Sequence, residues 1–330
     1  MTCSCREQTR RTMAAAGLVL LSLFHALLGN GAQAQTARTI KIVVPYTAGS
    51  PSDLLSRSLA EEITRAHGQA ILVENRPGAS TLIGTELVAR ATPDGSTLLT
   101  ATTAFVINPH LRKLSYDPLT SFEPICSLAS SPTVLVVDSA SSYYSLADLL
   151  DSARAKPGVL TAAGVGPAST VHIAFEMLKR AANVNMTFVP YPGPPPAISA
   201  LQGGHVTSIF VPYPAVEAQL RAGKLRALAI SSAKRIEAIP DVPTVAESGY
   251  QGYDMDVWFG IVAPAMTPNA TVSKLAGWFA AALQAPEVRS RLALQGVYPV
   301  AMCGAEFGEF LRKRYDDYGR AIRESNIKLD

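Results

Sequence analysis

Short apolar runs alternate with amphipathic segments along most of this chain. The run Ile40–Val44 has the continuous apolar character of a buried strand, and Pro45 ends it. Leu55, Leu59 and Ile63 then recur at the spacing of one helical face. The same alternation continues towards residue 230 and predicts an α/β protein, in which parallel-rich sheets carry helices on both faces.

Later strands and helices follow from the same pattern. The predicted strands are 71–73, 98–99, 134–137, 161–163, 187–189, 208–211 and 227–230. The predicted helices are 83–90, 146–155 and 169–181. Ligands of parallel sheets bind outside the carboxyl ends of the strands, so the loops after these strands are the candidate site.

The helix behind the first strand has clear signals at both ends. Ser50 precedes Pro51, and Asp53 stands three residues after Ser50, which predicts a capping box; Gly68 marks the helix end. Free backbone N–H groups at a helix start favour an anion. Residues 46–49 lack the Lys-Ser/Thr of a nucleotide-binding loop, which favours a small carboxylate over a nucleotide.

The N-terminus has the three parts of a secretory signal peptide. Arginines among the first eleven residues precede an apolar stretch at 13–28, and Ala32-Gln33-Ala34 is a cleavage signature. The apolar stretch is shorter than the roughly 20 residues that span a bilayer. We therefore expect residues 1–34 to be removed and the mature protein to be periplasmic. Adjacent Arg10 and Arg11 leave the general secretory and twin-arginine routes both open.

The mature chain is close to neutral, with 26 basic and 25 acidic residues. No basic run with interleaved aromatic residues indicates nucleic acid or an anionic membrane surface. Roughly 300 mature residues exceed the size at which a single core keeps growing, which predicts two lobes. Cys126 and Cys303 remain, and either one disulfide or two buried thiols would fit them.

Motifs for catalysis, cofactors and metals are incomplete. Residues 164–169 begin like a dinucleotide fingerprint but lack its third glycine and the later acidic residue. Residues 78–82 begin like a nucleophile elbow but lack its closing glycine. The histidines of the mature chain have no metal-ligand spacing. We predict no cofactor, no metal and no enzyme activity.

A series of motifs runs in order between residues 38 and 326. They are Pro45-Tyr46-Thr47-Ala48-Gly49-Ser50-Pro51-Ser52-Asp53, Glu74-Asn75-Arg76-Pro77-Gly78-Ala79, Pro93-Asp94-Gly95, Val189-Pro190-Tyr191, Gly223-Lys224-Leu225-Arg226-Ala227-Leu228-Ala229, Pro240-Asp241-Val242-Pro243-Thr244-Val245-Ala246-Glu247 and Trp258-Phe259-Gly260. As an ordered set, they resemble the Bug-type periplasmic solute-binding proteins of tripartite tricarboxylate transporters.

The resemblance implies a two-lobed periplasmic binding protein of type II. It would capture a small organic acid as a monomer and pass it to membrane transporter subunits. Lobe 1 would take residues 36–130 and 254–330, and lobe 2 would take 131–253, with crossovers near 125–131 and 253–259. A ligand-binding partner of a sensory system is the alternative, and a periplasmic enzyme on the same architecture is a further one.

The resemblance also implies a carboxylate held by backbone amides, hydroxyls and bridging waters. The predicted ligand residues are Thr47, Ala48, Gly49, Ser50, Ser52, Asp53, Ala79, Ser80, Thr81, Thr102, Thr103, Gly166, Ser169, Thr170, His172, Tyr191, Pro212 and Trp258. Helix capping or core packing is the alternative for His172, and interlobe packing is the alternative for Trp258. Arg76 is expected to pair with Glu74 in a structural role.

Several loop positions depart from the family pattern. Ser80-Thr81-Leu82 stands where Gly-Gly-Asn is usual, and Ser50 stands where glycine is usual. Pro192 and Pro194 replace the usual lysine and serine, and Pro212 ends a strand that polar residues often follow. Prolines stiffen a loop and remove donors. These departures favour a ligand with one carboxylate and an apolar or aromatic body over a citrate-like one.

Overall fold

The computed structural model describes residues 39–166 and 169–328. The predicted signal peptide, residues 1–34, lies outside the described residues. The strands are β1 (Ile40–Val44), β2 (Ile71–Asn75), β3 (Thr97–Thr102), β4 (Phe122–Asp138), β5 (Thr161–Val165), β6 (Thr187–Tyr191), β7 (Ser208–Pro212), β8 (Leu225–Ile230), β9 (Asp256–Pro264) and β10 (Tyr298–Cys303).

Helices connect most of these strands. They are α1 (Pro51–His67), α2 (Leu82–Ala89), α3 (Thr103–Leu111), α4 (Leu146–Ala155), α5 (Thr170–Ala182), α6 (Pro194–Gln202), α7 (Glu217–Arg221), α8 (Asn269–Gln284), α9 (Pro286–Ala293) and α10 (Ala305–Glu324), with 3-10 turns at Ala79–Thr81 and Tyr213–Ala215. Every strand and helix that the pattern predicts is present, extended or shifted by a few residues. The α/β class is confirmed.

Two parallel groups of strands flank a set of antiparallel ones. β1 lies between β2 and β3 and is parallel to both, and β5 lies in the same way between β6 and β7. β9 pairs antiparallel with β3, and β4 pairs antiparallel with β7, β8, β9 and β10. The sheet is therefore mixed, and its parallel parts are where the alternating pattern predicts them.

The 17-residue strand β4 connects the two parallel groups. Its first part pairs with β9 from Phe122 to Pro132 and also with β10. Its last part pairs with β7 and β8 from Thr133 to Asp138. We call β1, β2, β3, β9, β10 and the first part of β4 the first sheet half, and the remaining strands the second sheet half.

Helix α1 shows how the local pattern fixes the packing. Leu55, Leu59 and Ile63 are buried in one cluster with Ile40, Ile42 and Val44 of β1. Each such burial contributes roughly 1.5–3 kcal/mol. Ser50 accepts a hydrogen bond from the Asp53 N–H, and Gly68 ends the helix in the left-handed conformation.

The predicted capping box is only half formed. The Asp53 carboxylate accepts a hydrogen bond from the Gly49 N–H at 2.9 Å, one residue before the N-cap. The Ser50 N–H donates instead to the carbonyl of Thr47. The turn at residues 47–50 moves the returning donor back by one residue, and local sequence spacing does not reveal that turn.

The proline-rich patch at 192–196 is not an extended stiff loop. Pro194, Pro195 and Pro196 form the first turn of helix α6. Proline is tolerated there because the first N–H groups of a helix lack intrahelical partners and its φ angle suits a helix. The sequence placed both Pro192 and Pro194 in a loop, which is wrong for Pro194 because the helix begins there.

Cys126 and Cys303 form a disulfide in which the Cα atoms are 4.0 Å apart. The two residues are direct partners in the pairing of β4 with β10. The sequence left a bridge and two thiols both open, and the structure has the bridge.

Candidate functional site

The carboxyl ends of both parallel groups converge on the middle of β4. At the end of β3, Thr102 pairs with Phe259 of β9, and Phe259 in turn pairs with Ala129 of β4. At the end of β7, Pro212 pairs with Thr133 of β4. Residues 129–133 cover about 13 Å of strand. The loops after β1–β3 and after β5–β7 are therefore brought to one short region, as expected for a ligand site of parallel strands.

The loop after β1 presents exposed backbone and is held from beneath by Asp53. Thr47, Ala48 and Gly49 are exposed, whereas Asp53 is only 2% exposed. Besides the Gly49 N–H, the Asp53 carboxylate accepts hydrogen bonds from Arg57 Nε at 3.0 Å and Asn75 Nδ2 at 2.9 Å. This carboxylate braces the loop, because three donors already use its oxygens.

These bonds also set the charge state of Asp53. Burial alone would raise the pKa of this carboxyl, but hydrogen bonds from Arg57, Gly49 and Asn75 hold it below its usual value. Nearby, the Ser50 and Ser52 hydroxyls are 3.1 Å apart, and Ser52 is buried. Of the predicted ligand residues in this segment, 47–50 are accessible to a ligand and Asp53 is a brace.

The loop after β2 has a left-handed backbone over four consecutive residues. The φ angles are 130° at Gly78, 47° at Ala79, 55° at Ser80 and 80° at Thr81. This conformation costs roughly 1–2 kcal/mol for each residue with a side chain. Strained backbone of this kind persists only where its surroundings hold it in place.

Asn108 of α3 holds this loop. Its Nδ2 donates to the Ser80 carbonyl at 2.8 Å and to Thr81 Oγ1 at 3.3 Å. Arg112 Nη2 lies 3.5 Å from Ser80 Oγ. Sequence reasoning missed Asn108 and Arg112, and only a polar residue within the apolar run of α3 would have indicated Asn108.

The threonines at the end of β3 are committed to internal hydrogen bonds. Thr102 Oγ1 lies 2.8 Å from the Tyr46 hydroxyl, and Thr103 Oγ1 accepts a hydrogen bond from the backbone N–H of Trp258 at 3.3 Å. Both threonines are buried, and burial raises the pKa of Tyr46 despite its bond to Thr102. These hydroxyls join the loop after β1 to β3 and β9.

The loop after β5 leads into a capped helix start. Ser169 Oγ donates to the Gly166 carbonyl at 3.1 Å and accepts from the His172 N–H at 3.2 Å. Thr170 is the first residue of α5, and the Gly166 N–H donates to the carbonyl of Tyr191 at the end of β6. Gly166, Ser169, Thr170 and Tyr191 are thus brought together at one strand edge.

The His172 ring lies against the wall of the second sheet half. It stacks on Phe188 of β6, with the ring centroids 4.0 Å apart, and its Nε2 is 3.8 Å from Glu176. Burial lowers the pKa of His172, and the charge of Glu176 opposes that shift. The neutral ring is therefore favoured.

Trp258 packs towards helix α10. Its side chain is 1% exposed and makes edge contacts with Phe307 and Phe310. Arg76 pairs with Glu74, as expected for a structural role.

Within the described ranges, no group of three or more His, Cys, Asp or Glu residues could hold a metal ion. None of the helices described there combines the length and apolar character needed to cross a membrane.

Comparison with known proteins identifies the family. The family described as tripartite tricarboxylate transporter family receptor matches residues 55–327. The chain belongs to this receptor family. It is 31% identical to the protein BugT of Bordetella pertussis, over 94% of this chain and 98% of BugT.

Two solved structures resemble this receptor in sequence and fold. An R. palustris protein solved with adipate is 31% identical, with a TM-score of 0.70 over 89% of this chain and 99% of that chain. MatC of Rhodopseudomonas palustris, solved with bound malate, is 29% identical, with a TM-score of 0.65 over 86% of this chain and 99% of MatC. The family resemblance and the periplasmic binding protein fold predicted from the sequence are confirmed.

Proposed function

We propose that this receptor captures a small organic acid in the periplasm and delivers it to the membrane subunits of a tripartite tricarboxylate-type transporter. The observation that carries the proposal is the convergence of two donor-bearing strand edges on residues 129–133 of β4. Membership of a receptor family supports binding rather than catalysis. The receptor acts as a monomer that meets its membrane partners transiently.

The exposed loops suit a carboxylate. Moving an ionised carboxylate out of water without hydrogen-bond donors to replace the water costs several kcal/mol. Each charge-assisted hydrogen bond returns about 1.5–3 kcal/mol. The backbone N–H groups of Thr47 and Ala48 and the hydroxyls of Ser50 and Ser80 are the donors of the first sheet half. The start of α5 at Thr170 faces the same site from the second. The dipole of this 13-residue helix adds positive potential at Thr170.

The ligand class follows from the relatives and from the departures in this chain. Adipate and malate, which the two solved relatives contain, are both dicarboxylates. In this chain Tyr191 and Pro212 end β6 and β7, so the second sheet half offers apolar surface beside the helix start. We propose an acid with an apolar body, nearer to adipate than to malate.

Closure about two connections would complete the site. In the proposed lobes, Tyr253 belongs to lobe 2 and Asp254 to lobe 1. The Tyr253 hydroxyl donates to the carbonyl of Ala174 in α5 at 2.7 Å, whereas Asp254 pairs with Arg314 of α10. Asp254 Oδ1 also accepts a hydrogen bond from the Ala233 N–H of lobe 2 at 3.0 Å. We therefore propose that the bend of the second connection is spread over residues 253–259.

A thermal-shift and calorimetric screen tests the carboxylate proposal. Adipate, malate and hexanoate are compared with glucose, putrescine and AMP. A bound acid at 100 times its Kd stabilises the protein by about 2.7 kcal/mol, which raises the melting temperature by several degrees. Shifts from sugars or amines without shifts from acids would contradict the proposal.

A proline pair then tests the helix start. Thr170→Pro removes one N–H and one hydroxyl at the first residue of α5, where proline is tolerated, and Ser169 already has the extended ψ of 165° that a following proline requires. Asn269→Pro is the matched control at the first residue of α8. We expect Thr170→Pro to weaken acid binding at least tenfold and Asn269→Pro to bind as the wild type. Equal binding by both variants would remove α5 from the site.

Uptake by cells tests the transporter role. Deletion of the gene should abolish accumulation of the labelled acid identified in the screen, and the wild-type gene should restore it. Unchanged uptake together with a lost transcriptional response to the acid would indicate a sensory partner instead.

A further inference from the structure

A cavity of about 420 Å³ lies where β4 and β9 meet β10 and α10. We call it the β10 cavity; Ser130, Asp256, Trp258, Tyr298 and Arg314 are among its lining residues. Trp258 alone among the predicted ligand residues lines it. The cavity therefore shares Ser130 and Pro132 of β4 with the region on which the strand ends converge, but not the loops to which the carboxylate is assigned. Its volume is typical of small-molecule sites.

Its floor holds more negative than positive charge. Arg314 is 2% exposed and donates to both the backbone carbonyl and the carboxylate of Asp254. Asp256 is 8% exposed, and its Oδ1 lies 3.7 Å from Arg314 Nη2 without a hydrogen bond from any described residue. Two carboxylates thus share one guanidinium. Asp256 Oδ1 itself is enclosed, but the Asp256 side chain keeps 11% of its surface accessible and lines the cavity, where it can accept a hydrogen bond from a ligand N–H group.

Asp256 is ionised at neutral pH in spite of its burial. Burial raises its pKa to about 6, and the charge of Arg314 opposes that rise. The aromatic rings of Trp258 and Tyr298 also line the cavity. Trp258 is almost fully buried, whereas Tyr298 is partly exposed. A carboxylate beside an accessible aromatic ring favours a small ammonium group, because such a ring attracts cations as well.

The rim has the opposite charge. Lys234, Arg235 and Arg289 are exposed at the mouth, against one acidic residue, Glu237. Arg235 is paired with Glu247, and Arg289 bonds only to the neutral amide oxygen of Gln284 among the described residues. The mouth therefore keeps positive charge that favours a carboxylate.

We infer that the β10 cavity binds a small zwitterion, an amino-acid-like molecule with an apolar side chain. Its ammonium group donates to Asp256 beneath the aromatic rings, and its carboxylate faces Lys234 and Arg289 at the rim. Val300 and Met302 of β10 contact the apolar side chain. This single ligand class matches the acidic floor, the apolar walls and the basic rim together.

The two tryptophans of the chain allow a local measurement. Trp278→Phe removes the indole on α8, which leaves Trp258 as the reporter. L-leucine is titrated beside 3-methylbutylamine, which lacks the carboxylate, and 4-methylpentanoate, which lacks the ammonium group. We expect saturable Trp258 fluorescence changes with leucine, at an affinity at least tenfold higher than with the amine. Absence of a saturable leucine response would mean that only water fills the cavity and would overturn the inference.

Variants separate the β10 cavity from the carboxylate site. Asp256→Asn should weaken leucine binding at least tenfold, and Val300→Phe, at a 42% exposed position, should block the cavity without touching the buried charges. Lys234→Gln should weaken binding several-fold, and Lys224→Gln, an exposed lysine outside the cavity, should leave it unchanged. Leucine binding that survives Asp256→Asn and Val300→Phe but is lost in Thr170→Pro would place the zwitterion at the carboxylate site and overturn the inference.

Discussion

The two sheet halves hold their ligand-facing loops in different ways. In the first sheet half, Asp53 and Asn108 reach across the fold and bind loops that are distant in sequence. In the second, Ser169 caps the helix that it begins, through bonds within its own turn. The first arrangement fixes donors before a ligand arrives, and the second is a local device that moves with its helix. The difference predicts larger mutational effects in the first sheet half.

Removal of the Asp53 carboxylate should have the largest effect. Asp53→Ala leaves the Gly49 N–H without its acceptor and removes one of the two acceptors of Asn75 Nδ2, which keeps its bond to the Tyr46 carbonyl. We expect a loss of about 3 kcal/mol in unfolding free energy, because hydrogen bonds to charged groups contribute about 1.5–3 kcal/mol each. Urea unfolding measures it. Asp151→Ala, at a carboxylate that is 72% exposed, is the control and should cost under about 0.5 kcal/mol. Equal losses of unfolding free energy in Asp53→Ala and Asp151→Ala would contradict the role of Asp53 as a brace.

Removal of the local cap should cost less. Ser169→Ala deletes the acceptor for the His172 N–H at the start of α5. Loss of such a cap costs about 1 kcal/mol. The same urea experiment measures it, and Ser169→Asp, which keeps an acceptor, should recover most of the loss. A cost as large as that of Asp53→Ala would mean that Ser169 also supports distant parts of the fold.

Relief of the left-handed loop should stabilise the protein slightly. Ser80 is exposed and has a φ angle of 55°, which glycine adopts without strain. We expect Ser80→Gly to gain about 0.5 kcal/mol, the difference between the strain removed and the chain entropy added. Ser142→Gly, at an exposed loop position without a positive φ angle, should lose a few tenths instead. A loss at both positions would show that no strain is stored at Ser80.

The smallest expected effect is on the pH dependence of the unfolding free energy, which should differ between the two sheet halves. The pKa of His172 is lowered by burial, so its contribution to unfolding free energy is lost as pH falls below about 6.5. The pKa of Asp53 is lowered, so the contribution of Asp53 to the unfolding free energy is lost only below about pH 4. His172→Phe keeps a ring on Phe188 and should flatten the profile of unfolding free energy between pH 6.5 and 5 relative to the wild type. His110 and Asp256 also titrate in this region, but they are present in every variant and cancel in the comparison.

Local signals explain which elements the sequence predicts. Helix α1 carries its apolar face, cap and stop signal within 19 residues, from Ser50 to Gly68, so its bounds follow from the pattern. β9 and β10 were missed, because their partners on β4 are more than a hundred residues away in the chain. The helix at Pro194 was read as a loop, because proline is typical of both loops and first helical turns.

The candidate site divides in the same way. The loops after β1 and β5 were predicted because each follows a predicted strand, and at the first loop the capping signal at Ser50 supported the prediction, since caps are short-range features. The brace by Asn108 and the pairing of Arg314 with Asp254 depend on contacts between distant segments. No local sequence pattern indicates which distant residue such a side chain contacts. The assignment of individual ligand residues, Trp258 among them, stays a prediction.

The disulfide has a consequence for damage by proteases. Cys126 and Cys303 are 177 residues apart in sequence, so the bond closes a covalent ring around residues 127–302. That ring contains the whole second sheet half and β9. A single cut anywhere within it opens the ring but releases no fragment until the bond is reduced. A receptor that is cut once within this ring therefore keeps both faces of its binding site on one molecule.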